Sequence, residues 1–450
     1  MVPVVSFFLA CQIQSPKQGS IPVSPIEFVF EEPTAGYLTK MAWIKNPIVE
    51  PVRVDPIPQV TKRVQEAIKK DGLTGAAVVI IENNVVTYQR GFGYANLTTR
   101  QPFTSSTASR CGSISKTATA LAILRLVNNG KLSLDTKITS ILIPYRVKPG
   151  SKPDYKEGWE KIRVRDLLDQ ASGLSKNSTY LTSHSMAEGM NKKMRLSLDD
   201  LFAYVRKNIA PESVGEKWAY TNLNFELLSL IIEKVTGKPY KAALTELVVD
   251  PLGINLEEMH LSPTMRVPPD QQISINKYGQ KTRTNHDDDE ARCYQKSSQM
   301  LESIYKKGDQ VPEAYGGLDG EILSGAGHIA FSAQAIAKIV QTLLTRPTTF
   351  LKQSIWDDLL TPPDYVGKTG NGNFSSTYFY SKGTYVHKTG SQTQFSHGAM
   401  LMHAGGKYTP YITNGIEYVV ISNCNMESGK PTVDAILGKA VEAGLQDAKK

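Results

Sequence analysis

Hydrophobic and polar positions divide the chain into strand-rich ends and a helix-rich middle. Val60 to Lys70 carries apolar residues at helical spacing. Gly75 to Tyr94 then alternates as a hairpin: Ala76-Ala77-Val78-Val79-Ile80-Ile81, a turn at Glu82-Asn83-Asn84, and a return from Val85 to Tyr94. Thr117 to Val127 is apolar nearly all round, the mark of a helix buried on most of its faces, and Asn129-Gly130 ends it. Lys161 to Leu174 reads as a strand-like entry, a helix and a glycine turn. Ser197 to Asn208 and Leu223 to Val235 read as helices, the second closed by Gly237, with Asn222 placed to cap its start. Ala333 to Leu344 is a further helix. Gly383 to Ser391, Ala399 to His403 and Ile416 to Asn423 read as strands, and Thr432 to Leu445 as a closing helix.

Strands at both ends with helices between them predict an α+β fold. Its antiparallel sheet is built from both chain ends and flanked by helices, with a mostly helical subdomain inserted over about residues 135–330. Within that subdomain Ser262 to Gly320 is long, polar and charged, and is expected as an insertion or lid with modest helix around Ser298 to Lys307. Its acidic run, His286-Asp287-Asp288-Asp289-Glu290, reads as a solvated loop rather than a cation site. Before Pro56 the character changes. Val2 to Cys11 is short and apolar like the core of a signal peptide, and Phe8-Leu9-Ala10-Cys11 loosely resembles a bacterial lipoprotein cleavage site. Gln12 to Pro56 is irregular and rich in proline. Residues 1–52 are therefore expected as a leader and extended segment, 53–450 as the folded domain, and the protein as exported, with Cys11 a possible lipid anchor.

Charge narrows the classes. The excess is 51 − 43 = +8, but the basic residues are dispersed, without the runs or aromatic interleaving of nucleic-acid binders, so no nucleic-acid partner is expected. No apolar run approaches the ~18 residues of a membrane span. The four cysteines, Cys11, Cys111, Cys293 and Cys424, are too scattered for a disulfide framework or a zinc site and are expected as buried thiols. No His-x-x-x-His grouping occurs, and neither metal nor cofactor is called for.

The candidate chemistry begins at Ser113-Ile114-Ser115-Lys116, directly before the buried helix. A serine hydroxyl attacks only when a neighbour takes its proton, and an amine does so when desolvation keeps part of it neutral. Three residues apart on a helix, the two side chains share a face. Two more groupings follow in order: Tyr220-Thr221-Asn222, then Lys388-Thr389-Gly390.

With these three motifs in this order, the chain from about Val60 onward resembles the serine β-lactamase and penicillin-binding protein superfamily, in its class C-like branch. Supporting stretches are Asn129 to Asp135, Ala171-Ser172-Gly173-Leu174, Gly215 to Gly237 and Pro251-Leu252-Gly253. Departures are Gln170, where many relatives have histidine, and Gln394, where a glycine is common. The resemblance implies a serine hydrolase acting through an acyl-serine on an ester, amide or D-amino-acid peptide bond of a small-molecule or peptide-like substrate. Ser113 would attack, Lys116 and Tyr220 would share the proton transfers, and Lys388 would depress the Tyr220 pKa. Asn222 would orient Lys116 and the substrate. By the same resemblance the backbone N–H of Ser391 joins that of Ser113 in an oxyanion hole, and Thr389 and Gly390 line the substrate site.

The deacylating glutamate of class A enzymes is not apparent, which favours an esterase or peptidase-like hydrolase over a dedicated β-lactamase. A true class C-like β-lactamase and an inert family member serving as a binding module are the alternatives. A Ser-His-Asp hydrolase is disfavoured because no Gly-x-Ser-x-Gly elbow occurs, and His387, His397 and His403 read as hydrogen-bonded structural residues.

Overall fold

The computed structural model describes Glu50, residues 54–143 except Thr98, 153–174, 183–261, short stretches between 274 and 320, 322–368, 373–411 except Met402, 415–425 and 430–450. Apart from Glu50 the expected leader lies outside the described residues, as do Cys11 and the acidic run at 286–290. Helix α1 (Pro58–Asp71) leads into strands β1 (Gly75–Glu82), β2 (Val85–Asn96) and the short β3 (Gln101–Pro102). The helices α2 (Ser115–Asn128), α3 (Leu198–Asn208), α4 (Asn222–Thr236), α5 (Ala333–Thr345) and α6 (Gln353–Leu360) follow. The chain then returns to strands β4 (Tyr378–Ser381), β5 (Thr384–Thr389), β6 (Gln392–Met400), β7 (Gly405–Tyr411) and β8 (Ile416–Ser422), and ends in α7 (Val433–Asp447).

These strands form one eight-stranded sheet in the order β4-β5-β6-β7-β8-β1-β2-β3, with every neighbouring pair antiparallel. Both chain ends build it, as the sequence predicts, because β8 from the end pairs with β1 from the start. Each face carries its own core. Ala77, Val79 and Ile81 of β1 point into the large core shared with α2, α4 and α5, while Ala76, Val78 and Ile80 point into a smaller one against α1 and α7. Burial on both sides explains why β1 and Tyr418 to Ile421 of β8 read as unbroken apolar runs. Asn83 and Asn84 both take positive φ in the β1–β2 turn, which short polar side chains tolerate.

Helix α2 is buried from Ser115 to Leu124 without interruption. Thr117 pins it to the sheet, its hydroxyl sitting 2.9 Å from the Gly383 carbonyl and 2.8 Å from the Tyr408 hydroxyl. The β4–β5 turn lies so close above α2 that a Cβ on Gly383 (φ +80°) would meet the Lys116 carbonyl at 2.8 Å. Nothing larger fits at that turn.

Two expectations fail in the insertion and near the end of the chain. The helix expected around 298–307 is absent from the described residues there. Leu301–Glu302 pairs instead with Gln310–Val311 as a small antiparallel ribbon, closed by the Ser303 N–H donating to the Asp309 carbonyl and by Gly308 at positive φ. Serine, aspartate and glycine supply turn geometry that outcompetes a short helix. Of the strand expected at 399–403, Ala399 and Met400 end β6, and the Leu401 N–H donating to the Ala404 carbonyl marks the turn into β7.

Candidate active site

Ser113 sits in a 3-10 turn, Gly112–Ile114, that runs directly into α2. This places its hydroxyl and the Lys116 amine on one face, with Nζ donating to Oγ at 3.0 Å. Nζ also donates to Asn222 Oδ1 at 2.8 Å and to the Ala326 carbonyl. Lys116 is fully buried, and desolvation lowers its pKa from 10.5 to about 7. The Glu226 carboxyl opposes that shift from α4, one helical turn beyond Asn222, and its own pKa is pushed up to about 8 by burial. A buried amine half neutral near pH 7 and hydrogen-bonded to a half-buried serine is chemically a base beside a nucleophile.

Tyr220 closes the other side. Its ring lies 4.9 Å from Lys116 Nζ, and burial raises the phenol pKa well above its ordinary value even though the nearby Ser113 hydroxyl favours the ionised form. The depressed Tyr220 pKa expected from Lys388 is therefore reversed: the phenol keeps its proton and is a donor. Its buried hydroxyl has no protein partner of hydrogen-bond geometry. Asn222 is the first residue of α4 and does not cap it. Thr221 does, its hydroxyl accepting from Leu223 N at 3.3 Å, which frees the Asn222 amide to hold Lys116. Gln170, a departure in the sequence, anchors this segment. Its side-chain oxygen accepts from Thr221 N at 3.0 Å and from Asn224 Nδ2 at 2.6 Å.

The third motif does not join these residues. Gly390 and Ser391 form the exposed two-residue turn between β5 and β6, with Thr389 opposite Gln392 and Lys388 opposite Thr393. Lys388 Nζ donates to the Leu360 carbonyl at 2.8 Å. The strand that reaches the serine turn does so at its other end: a Cβ on Gly112 would meet Ala399 Cβ at 3.0 Å and Met400 N at 3.2 Å. Met400 lies seven residues beyond Thr393, about 23 Å at roughly 3.3 Å per residue. Lys388, Thr389, Gly390 and Ser391 thus stand far from Ser113, and the oxyanion role expected for Ser391 has no geometry behind it.

The segment His397-Gly398-Ala399-Met400 occupies the place expected of them. Leu401 N donates to the Ala404 carbonyl at the β6–β7 turn, so antiparallel alternation turns the N–H of Met400 away from β7 and toward the serine turn. The His397 ring is 6.3 Å from that of Tyr220, centroid to centroid. Its Nδ1 lies 2.8 Å from the Gly398 carbonyl, and its buried Nε2 has no partner. Burial and the Lys116 charge lower its pKa to about 3, so it is neutral at working pH. The small pair Gly398-Ala399 inside a strand was the available sequence signal, since close approach of another backbone demands small residues. The other two histidines are structural. His387 Nε2 lies 2.7 Å from Ser396 Oγ. His403, buried, pairs with Glu313 at 2.9 Å, and although burial disfavours its charge, Cys293 and Glu313 raise its pKa to about 9. Replacing Lys388 by Met is expected to change kcat/KM for a small activated ester by no more than about twofold, and a loss above about tenfold would return Lys388 to the reaction.

Comparison with known proteins follows the same outline. A family model described as Beta-lactamase matches residues 60–442. "Protein flp" of Staphylococcus aureus (strain N315) is 28% identical over 194 residues, which is 43% of this chain and 36% of that protein. "Esterase EstB" of Burkholderia gladioli is 29% identical over 197 residues, 42% of this chain and 48% of the esterase. The likeness thus spans under half the length of either relative. Among solved structures, the D-amino acid amidase of Ochrobactrum anthropi SV3 superimposes with a TM-score of 0.59 at 18% identity, covering 87% of this chain and 98% of the amidase. At that identity the likeness is one of fold.

Proposed function

The chain belongs to the beta-lactamase family, and from that premise we propose that it is a serine acyl hydrolase, esterase or peptidase-like rather than a dedicated β-lactamase. The observation that carries this reading is the desolvated Lys116, bonded at once to Ser113 and Asn222 and lying beneath the Tyr220 ring. In the proposed reaction Ser113 Oγ attacks the carbonyl carbon as its proton passes to the neutral Lys116 amine. The N–H groups of Ser113 and Met400 receive the developing oxyanion, a contribution of about 10²–10³ in rate per donor where it has been measured. Tyr220, still protonated, delivers a proton to the leaving group, and its phenolate is reprotonated from Lys116. Water then repeats the cycle on the acyl-enzyme. One feature supports an ester or simple amide over a β-lactam or D-alanyl peptide. Those substrates present a carboxylate, and the position beside Tyr220 is held by a neutral histidine rather than a lysine. Intact-mass analysis after a fluorophosphonate and after a penicillin tests the reading: a single adduct on Ser113 with the first is expected, and no adduct with either would overturn it.

The pH profile follows from the same arrangement. Lys116 must be neutral to accept the serine proton, so kcat/KM should rise through a limb near pH 7. In its ionised form Glu226 favours the ammonium, and with a pKa of about 8 it is only partly ionised near the limb, hence Glu226→Gln removes that partial charge and lets the amine lose its proton slightly sooner. The limb is expected to move to lower pH. An unmoved limb, or one displaced upward, would remove Glu226 from control of the base.

A further inference from the structure

No hydrogen bond at its own hydroxyl aims the proton donor Tyr220, so its place is set by ring packing and by the main chain on either side. Both flanks of that main chain end on one residue. Ala219 N–H donates to the Gln170 carbonyl at 2.8 Å, and Thr221 N–H to the Gln170 side-chain oxygen at 3.0 Å. The same oxygen accepts from Asn224 Nδ2 at 2.6 Å, which ties the first turn of α4 into the grip.

Gln170 holds this position against local preference. The short helix Val164–Leu168 ends in a Schellman turn, with Gln170 N–H donating to the Leu167 carbonyl at 3.2 Å and Ala171 N–H to the Asp166 carbonyl at 2.8 Å. Gln170 fills the left-handed position of that turn at φ +57°, where glycine or asparagine is the easy residue. Glycine there would keep the carbonyl bond to Ala219 and lose both side-chain bonds. Gln170 is fully buried, and Asp169 beside it accepts from Lys382 N at 3.0 Å, in the β4–β5 turn that overlies the Lys116 carbonyl. One turn thus registers the base and the proton donor together.

We propose that Gln170 is a positioning residue for catalysis, holding Tyr220 where its phenol meets the leaving oxygen. The inference rests on the serine-hydrolase reading above, with Tyr220 as the donor. A group that departs as a stable anion has little need of that proton, whereas an alkoxide has to receive it as the bond breaks. A displaced Tyr220 therefore costs most with alkyl esters, a bias that a general loss of stability does not produce.

The test measures kcat/KM for 4-nitrophenyl acetate and ethyl acetate, which share an acyl half, in the wild type, Tyr220→Phe, Gln170→Met and Gln170→Asn. Gln170→Met keeps the length and removes the acceptor. Gln170→Asn suits the left-handed turn and should fold at least as well as the wild type, while withdrawing the acceptor by one methylene. Both Gln170 variants are expected to lose about five- to tenfold more with ethyl acetate than with 4-nitrophenyl acetate, and Tyr220→Phe to show the same bias. In the Tyr220→Phe background Gln170→Asn should add no further bias, because it acts through the phenol. Equal losses with the two esters in folded Gln170→Asn, added bias in the absence of the phenol, or a Gln170→Asn chain that does not fold would overturn the positioning role and leave the hydrolase reading standing. Absence of bias in Tyr220→Phe would overturn the donor assignment and this inference with it. Wild-type Ser113 unlabelled by fluorophosphonate, with neither ester hydrolysed, would overturn the hydrolase reading itself.

Discussion

Ser113→Ala is expected to abolish hydrolysis of activated esters such as 4-nitrophenyl acetate, with a loss in kcat of about 10³-fold or more, while the protein folds as before. The hydroxyl has a desolvated base already hydrogen-bonded to it, and its removal deletes the covalent route rather than weakening it. Folding should tolerate the change because Ser113 is half-buried in a turn whose backbone is set by Gly112 and by Ile114 N–H donating to the Cys111 carbonyl. Whatever activity survives measures the oxyanion donors and binding alone. A loss of less than about tenfold in a protein with an unchanged melting curve would take Ser113 out of the reaction, and persistent fluorophosphonate labelling of the variant would point to another nucleophile.

What the sequence made legible was whatever short-range pattern controls. Ser113 and Lys116 share a helical face, so their meeting follows from spacing alone. Tyr220 and Asn222 flank a helix start, and the sheet built from both ends follows from apolar runs too continuous to be one-sided. The capping of α4 was misread because Thr221 and Asn222 are both good caps, and only the tertiary demand of Lys116 for an acceptor decides between them. Lys388-Thr389-Gly390 misled for a different reason. A three-residue motif states composition, whereas which end of a hairpin faces the nucleophile depends on strand register and on where the turn falls. Gly390-Ser391 makes the turn, and so carries the motif away from the serine while bringing His397 to Met400 toward it. Buried electrostatics were not legible at all. That Tyr220 is held protonated and Lys116 half neutral depends on the packing of α2, α4 and β6 around them, which no local pattern encodes.

Lys116→Met is expected to cost activity and stability in opposite directions. Without the amine nothing receives the serine proton, and kcat near pH 7.5 should fall by about 10²–10⁴-fold. Combined with Ser113→Ala it should add nothing further, since the two act as one unit. Stability runs the other way. The folded state holds Lys116 at a pKa of about 7 against 10.5 for an ordinary lysine, so between those values the unfolded chain binds the extra proton. Folding is penalised in full below about pH 7, and the penalty fades as pH rises toward 10.5. Methionine fills a similar volume and carries no charge, so the variant escapes the penalty, though it leaves Asn222 Oδ1 and the Ala326 carbonyl without their donor at about 1–3 kcal/mol each. The difference in melting temperature, variant minus wild type, should therefore favour the variant most near pH 6 and shrink steadily toward pH 10. A difference that grows with pH, or a variant that melts lower at pH 6 than at pH 10 relative to wild type, would mean that Lys116 is not a desolvated base but a charge the fold leans on.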